Sequence, residues 1–97
     1  MPTYILLTNW TDQGIKNAKA SPKRAQDARE LGKKFKVEWK SFHMTMGAYD
    51  FVLTAEAPDD AALAKYVVSL CAQGNVRTTT LKAFTEAEYR SILEAVA

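Results

Sequence analysis

The segment around Gly47-Ala48 restricts the possible folds of this chain more than any other. Apolar and polar residues alternate from Val37 to Met46 and again from Tyr49 to Ala57, which is the period of a half-buried β-strand. Two strands separated by two residues, the first of them glycine, predict a tight type II′ hairpin. The chain therefore contains an antiparallel strand pair whose two faces differ in polarity.

The turn determines which residues share a face of the hairpin. With this loop, His43 pairs with Val52. The face predicted to lie under helices holds Phe42, Met44, Met46, Tyr49, Phe51, Leu53 and Ala55. The other face holds Trp39, Ser41, His43, Thr45, Asp50, Val52, Thr54 and Glu56. A slip by one residue would invert the two sets, so the apolar character of the first set supports this register.

Strand and helix patterns alternate along the rest of the chain. Tyr4–Thr8 predicts a central strand, and Val76–Phe84 predicts a last strand rich in threonine. Thr11 is the predicted N-cap of a short helix over Asp12–Ala20. A hydroxyl cap followed by proline predicts that the next helix begins at Ser21-Pro22.

Two further helices follow the hairpin. Pro58 ends the second hairpin strand, and the next two residues place carboxylates in the first turn of a helix that Gly74-Asn75 close. Thr85 and Glu88 form a capping box that opens a C-terminal helix. We expect four apolar residues of that helix to point inward: Tyr89, Ile92, Leu93 and Val96.

The predicted element order is β-α-β-β-α-β with an extra C-terminal helix, which is the ferredoxin-like arrangement of the α+β class. The 97 residues form a single domain over positions 1–97. A domain of this size buries only about 60–65% of its unfolded surface, so a partner subunit would help to stabilise it.

Composition and residue counts exclude several function classes. The net charge of +2, from 13 basic and 11 acidic residues, is too small to indicate nucleic-acid binding or an anionic membrane surface. No apolar stretch approaches the roughly 20 residues that a membrane span needs. Cys71 and His43 are the only soft metal ligands, so a structural zinc site and an intrachain disulfide are both excluded. Without a signal-peptide pattern, we expect a cytoplasmic protein. The sequence identifies no cofactor.

The polar face of the hairpin is the candidate ligand site. A ferredoxin-like sheet carries helices on one side only, so its other side meets water or a partner. Two such sheets packed face to face would enclose a semi-polar interior lined by Trp39, His43, Thr45 and Asp50, with Arg77 at the rim.

Each of these residues also has a purely structural interpretation. His43 and Asp50 are diagonal neighbours in this register, which would suit a general base and the carboxylate that orients it. Alternatively both are interface polar groups, and Asp50 caps amides near the turn. Arg77 binds an anionic group or forms an ion pair. Trp10 covers a pocket or packs against its neighbours.

The sequence resembles the GYD domain family, whose name-giving glycine, tyrosine and aspartate are Gly47, Tyr49 and Asp50 here. The resemblance implies a small bacterial or archaeal protein with a ferredoxin-like fold, akin to the dimeric α/β-barrel proteins, and implies no reaction. The similar segments are spread in order along nearly the whole chain: Trp10–Lys16, Ser21–Ala25, Thr45–Val52, Glu56–Asp60, Gly74–Thr78 and Thr80-Leu81.

Three hypotheses for function follow. The leading one is a homodimer or higher homo-oligomer that binds a small molecule between its sheet faces. The second is a small cofactor-free oxygenase or isomerase that uses His43 as base and Asp50 as its orienting group. The third is a purely structural assembly module.

Overall fold

The computed structural model describes all residues from 1 to 97. Its four strands and four helices follow one another along the chain with short connections. The bounds are β1 Thr3–Trp10, α1 Asp12–Lys16, α2 Ser21–Lys33, β2 Glu38–Met44, β3 Phe51–Glu56, α3 Asp60–Cys71, β4 Val76–Ala83 and α4 Glu86–Glu94.

The strands form one antiparallel sheet in the order β2-β3-β1-β4. This order and the position of α2 and α3 against one side of the sheet confirm the predicted α+β, ferredoxin-like architecture. The sheet of a single chain is open at β2 and β4, so one chain does not form a closed barrel.

Alternation along the two central strands places the core on the helix side of the sheet. Tyr4 and Leu6 of β1 and Leu53 of β3 are buried there against Tyr66 of α3 and Ala28 of α2. The Tyr66 hydroxyl donates a hydrogen bond to the carbonyl of Ala28 at 2.8 Å, so a polar contact joins the two helices inside the apolar core.

The region before α2 differs from the prediction. The Thr11 hydroxyl caps α1 by accepting from Gly14 N at 3.1 Å, as expected, but α1 ends at Lys16 and a 3-10 turn covers Ala18–Ala20. Ser21 was predicted to cap α2 and is instead its first residue, with φ −58° and ψ −42°. An N-cap needs an extended backbone, and the preceding 3-10 turn runs directly into the helix, so Ser21 cannot serve as one.

The hairpin keeps the predicted pairing but not the predicted turn. His43 lies opposite Val52 as expected. The strands stop at Met44 and Phe51, and residues 45–50 form a longer loop, so the two-residue turn is wrong. The longer loop is stabilised by its own contacts, because the Thr45 hydroxyl donates to the carbonyl of Tyr49 at 2.5 Å.

A β-bulge in β2 reverses the predicted position of Trp39. The pairing shifts between Trp39 and Ser41, which leaves Lys40 as the extra residue. Trp39 therefore pairs with Ala55 and lies on the helix side of the sheet, whereas Ser41 and His43 remain on the side away from the helices. The prediction that Trp39 lies on the open face is wrong, because period-two alternation does not continue through a bulge.

Helix α4 begins with the predicted capping box, since Thr85 and Glu88 each accept the other's backbone amide. Its apolar residues do not point inward. The exposed fractions of Tyr89, Ile92 and Leu93 are 57%, 44% and 50%, and the helix has no buried residue. The prediction assumed that an amphipathic helix packs on its own domain, but α4 leaves its apolar stripe uncovered.

Candidate functional site

Segments distant in the sequence meet at the end of the sheet where β1 finishes. The Thr11 amide donates to the carbonyl of Asn75 at 3.1 Å, and the Thr11 hydroxyl donates to the carbonyl of Gly74 at 2.5 Å. The Gln13 side chain donates to Asn75 Oδ1 at 3.0 Å. The start of α1 is thus fastened to the connection between α3 and β4.

This contact requires a glycine at position 14. A Cβ atom on Gly14 would lie 2.0 Å from the carbonyl oxygen of Asn75, which is far closer than atoms can approach. The Gly14 carbonyl in turn accepts a hydrogen bond from Arg24 Nη2 at 2.8 Å. Gly14 therefore lets α1 lie against the α3–β4 connection and fixes the Arg24 side chain of α2.

The hairpin loop is fastened to the same end of β1. Asp50 Oδ2 accepts from the Trp10 amide at 2.9 Å, and the Asp50 amide donates to the carbonyl of Thr8 at 2.9 Å. The Asn9 side chain donates to the carbonyl of Ala48, also at 2.9 Å. The loop therefore continues the sheet through one backbone bond and two side-chain bonds where the strand pairing has ended.

Aromatic rings from three strands lie in a row on the helix side of the sheet. Trp10 meets Phe51 edge to face with ring centroids 4.8 Å apart. Phe51 stacks on Phe42 at 5.3 Å, and Phe42 stacks on Trp39 at 5.4 Å. We call these four side chains the aromatic row; such contacts are favourable geometries for aromatic pairs.

The far end of the row is held by polar contacts. The Arg29 guanidinium lies over the Trp39 ring, 4.7 Å from its centroid, which is a cation–π arrangement. Trp39 Nε1 donates to the Tyr66 hydroxyl at 3.0 Å. Burial raises the pKa of Tyr66, so its hydroxyl stays protonated and keeps donating to Ala28.

The aromatic row forms the floor of a cleft between the sheet and the first half of α2. The cleft holds about 60 Å³, and a more open depression of about 500 Å³ continues from it over Pro22 and Met44. We call it the aromatic cleft. Besides the row, its lining comprises Thr8, Ser21, Arg24, Ala25, Ala28, Leu53, Leu70, Gln73, Asn75 and Val76.

The six residues predicted for the ligand site separate into three groups. Trp10 and Trp39 line the aromatic cleft. His43 and Arg77 are exposed on the side of the sheet away from the helices. Thr45 and Asp50 have polar atoms that bond the hairpin loop.

The predicted pairing of His43 with Asp50 is not formed. His43 makes no side-chain hydrogen bond or ion pair, and the Asp50 carboxylate accepts from Trp10 instead. This contact resembles the alternative considered for Asp50, the capping of amides near the turn. The geometry that would support His43 as an oriented general base is therefore absent from a single chain.

Sequence reasoning did not assign Phe42, Phe51, Arg24 or Arg29 to a site. Phe42 and Phe51 were placed correctly on the helix side but interpreted only as core. Arg24 follows Ser21 by three residues, and this spacing puts both on one side of α2. Trp10, which was predicted to cover a pocket or to pack against its neighbours, was the sequence feature that indicated a cleft beside these residues.

The open side of the sheet has an apolar centre and a polar edge. Ile5 and Leu7 of β1 and Val52 of β3 are half-buried, and Leu81 of β4 is 44% exposed. No helix of the core covers this side. We call it the open face.

At the other end of the sheet, Asp60 accepts from the Tyr4 hydroxyl and lies 3.2 Å from Lys82 Nζ. Burial of Tyr4 and its bond to Asp60 raise the pKa of that hydroxyl to about 12. The pKa of Asp60 is lowered, first by its hydrogen bond from Tyr4 and then by its contact with Lys82.

No cluster of three metal-ligating side chains exists, and no helix has the length and apolarity of a membrane span.

The similarity of this chain to known proteins extends over the segments described above. Over 89 residues the chain is 36% identical to a protein of Thermus thermophilus named glutamine synthetase and cystathionine beta-lyase binding protein. The alignment covers 91% of this chain and 94% of that relative. The model of the GYD domain matches residues 4–93, a stretch that includes the sheet, the aromatic cleft and most of α4. The chain belongs to the GYD domain family.

Proposed function

We propose that this protein is a homodimeric module that binds other enzymes, with α4 as the contact to the enzyme and the open face as the contact to a second copy. The observation that carries the proposal is the uncovered apolar stripe of α4. The name of the Thermus relative supports enzymes as the partners, specifically glutamine synthetase and cystathionine beta-lyase.

The stripe has the spacing of a helix that binds in a groove. Tyr89, Ile92 and Leu93 of α4, with Val96 two residues beyond its end, recur at intervals of three and four residues and are all at least 44% exposed. The opposite side of α4 carries Ala87, Ser91 and Glu94, and the ion pair of Arg90 with Glu86 at 2.5 Å borders the stripe. One side of the helix therefore suits water and the other suits an apolar groove.

Binding to purified enzymes tests this surface. The protein is titrated onto immobilised glutamine synthetase and cystathionine beta-lyase from the organism that encodes it. We expect Ile92→Ser with Leu93→Ser to weaken binding at least tenfold, because each buried apolar side chain contributes about 1.5–3 kcal/mol. The matched control, Ala87→Ser with Glu94→Ser on the side opposite the stripe, should bind like the unaltered chain. Equal binding by both variants, or none by the unaltered chain, contradicts the proposal.

The open face suits a second copy because a cation and an anion lie diagonally across it, near opposite ends of the sheet. Arg77 lies on the edge strand β4 beside the end of β1, and Glu56 lies on β3 beside the start of β1. Neither forms an ion pair within the chain. A face-to-face pair with its two-fold axis along the other diagonal brings each Arg77 to the Glu56 of the other copy.

Charge reversal tests this arrangement. We expect Arg77→Glu and Glu56→Arg each to weaken the dimer, since like charges then face each other, and the double variant to restore it. Sedimentation equilibrium measures the three association constants. If the double variant is as weak as the sum of the single changes, or the unaltered chain is a monomer, the face-to-face dimer is wrong.

Small-molecule binding between the two open faces is the second candidate function. It is favoured by the exposed His43 imidazole and by the Ser41 and Thr54 hydroxyls, which bond each other at 2.7 Å on the same face. Native mass spectrometry of protein taken directly from its host tests it. A dimer with a stoichiometric extra mass that His43→Ala removes supports this function, whereas a dimer without extra mass contradicts it.

A further inference from the structure

We infer that the aromatic cleft is a binding site for a small carboxylic acid with an aromatic or other flat apolar body. This inference concerns the helix side of the sheet and is independent of the partners proposed for α4 and the open face. Three features of the cleft support this inference: its apolar floor, the charge of its lining and the polar groups around the floor.

The floor selects a flat apolar body. Trp10, Phe51 and Phe42 offer ring faces and edges to the cleft, and Ala25 and Ala28 of α2 leave space above them. The cleft itself has room for about 60 Å³, and the depression that continues from it adds about 500 Å³, so only the two together lie within the range of small-molecule pockets, about 300–1,000 Å³. An aromatic ring in this space would stack on the row at the centroid distances that the row already uses within itself.

The charge of the lining selects an anion. Two arginines, Arg24 and Arg29, line the cleft and its outer depression, and no aspartate or glutamate does. Neither arginine forms an ion pair in the chain. The bond from Arg24 Nη2 to the Gly14 carbonyl uses one of five guanidinium donors, so others remain for a carboxylate.

Two hydroxyl groups line the same cleft as Arg24 and are available to orient the ligand. Thr8 is 4% exposed, and its hydroxyl has only a long bond of 3.5 Å to the carbonyl of Leu6. The Ser21 hydroxyl, displaced from the expected capping role, makes no hydrogen bond. A carboxylate beside Arg24 can accept from both, which gives these polar atoms the partners that they lack in the free protein.

Tryptophan fluorescence reports on this site alone, because the chain has two tryptophans and both line the cleft. The probes are 3-phenylpropionate, its uncharged amide 3-phenylpropanamide, and acetate, none of which absorbs where tryptophan is excited selectively. We expect 3-phenylpropionate to change the emission with saturation. The amide should bind roughly tenfold to a hundredfold more weakly, as loss of a charged hydrogen bond implies, and acetate should give no saturable change.

Two variants test the role assigned to the arginine. Arg24→Gln should reduce the preference for acid over amide to near unity. Lys34→Gln, which removes the same charge from an exposed residue outside the lining, should leave the preference unchanged. Because Arg24 also bonds Gly14, circular dichroism first establishes that Arg24→Gln is folded; if it is not, Arg29→Gln replaces it with the same expected loss.

Three results overturn the inference. The first is no saturable change with 3-phenylpropionate up to about 10 mM, the weak end of small-ligand affinity. The second is equal binding of the acid and the amide to the unaltered protein. The third is an undiminished preference for the acid in folded Arg24→Gln.

Discussion

The Asp50 carboxylate accepts the backbone amide of Trp10 at 2.9 Å, across 40 positions of sequence. This bond takes over where the ladder between β1 and β3 ends at Thr8 and Phe51. The aspartate that names the family therefore has a structural task in this chain: it fixes the end of β1 and, through it, the Trp10 ring of the aromatic cleft.

Replacing Asp50 should therefore destabilise the fold and alter the cleft together. We expect Asp50→Ala to lower the free energy of unfolding by about 1–2 kcal/mol, the cost of leaving an amide without its acceptor. Asp50→Asn keeps an acceptor oxygen and should lose less. Urea unfolding followed by tryptophan emission measures both changes. Equal losses in the two variants would mean that the negative charge, and not the acceptor, is what matters.

Gly14→Ala should be among the most damaging small substitutions in the chain. The added Cβ would overlap the Asn75 carbonyl oxygen, and backbone on both sides leaves little room to adjust. We expect a loss of about 1–3 kcal/mol or more, as for overpacked sites. The control is Lys16→Ala, an exposed change in the same helix, which should alter stability by less than about 0.5 kcal/mol. Similar thermal midpoints for the two variants would contradict this account of the contact.

Lys36→Gly should stabilise the protein. Lys36 has a φ of +58° after α2, and the bonds from its amide to Lys33 and from the Val37 amide to Gly32 are those of a Schellman motif. A left-handed conformation costs a residue with a side chain about 1–2 kcal/mol, part of which glycine returns through its flexible unfolded state. We expect a gain of about 0.5–1 kcal/mol by urea unfolding.

The control for Lys36→Gly is the neighbouring Lys34→Gly, where φ is −63° and no such relief is available. Glycine at this helical position should destabilise by about 0.5–1 kcal/mol. If both substitutions change stability in the same direction, the positive φ of Lys36 is not a source of strain.

Stability should fall between about pH 10 and pH 12 because of Tyr4. Its pKa is about 12 in the folded protein and about 10 in the unfolded chain. Below pH 10 both states hold the proton, and between the two values the unfolded state loses it first, so unfolding becomes more favourable as pH rises. Tyr4→Phe should flatten this part of the stability curve measured by urea unfolding. An unchanged slope in Tyr4→Phe assigns the alkaline loss to other groups.

The sequence predicts the order of elements because each is marked locally. Thr11 and the Thr85–Glu88 capping box identify helix starts, and alternation identifies the strands. The bulge at Lys40 has no such local signal, and it moved Trp39 from the predicted open-face site to the cleft. The outward α4 was also unpredictable, because its periodicity indicates an apolar side without indicating which protein covers it.

The candidate site was only partly accessible to the same reasoning. Trp10 could be named because it stands at a strand end near a turn-like segment. Arg24 and Phe51 belong to the site through contacts between residues that are far apart in the sequence. Arg24 lies near the cleft because it bonds Gly14, and Phe51 lies there because β1 and β3 pair. Such long-range contacts depend on the assembled sheet and leave no spacing pattern in the chain.

Phe51 and Val52 are successive residues of β3 that point to opposite sides of one sheet, the first into the cleft and the second onto the open face. The sheet, which is one backbone layer thick, therefore separates the aromatic cleft from the open face, two surfaces that suit different partners. A molecule that shifts the backbone at Phe51 would also shift Val52, the next residue of β3. If occupancy of one surface changes affinity at the other, thermodynamic reciprocity requires that assembly change ligand affinity by the same factor. Through the alternation of side chains along β3, ligand binding in the cleft would then be coupled to the binding of a second copy at the open face.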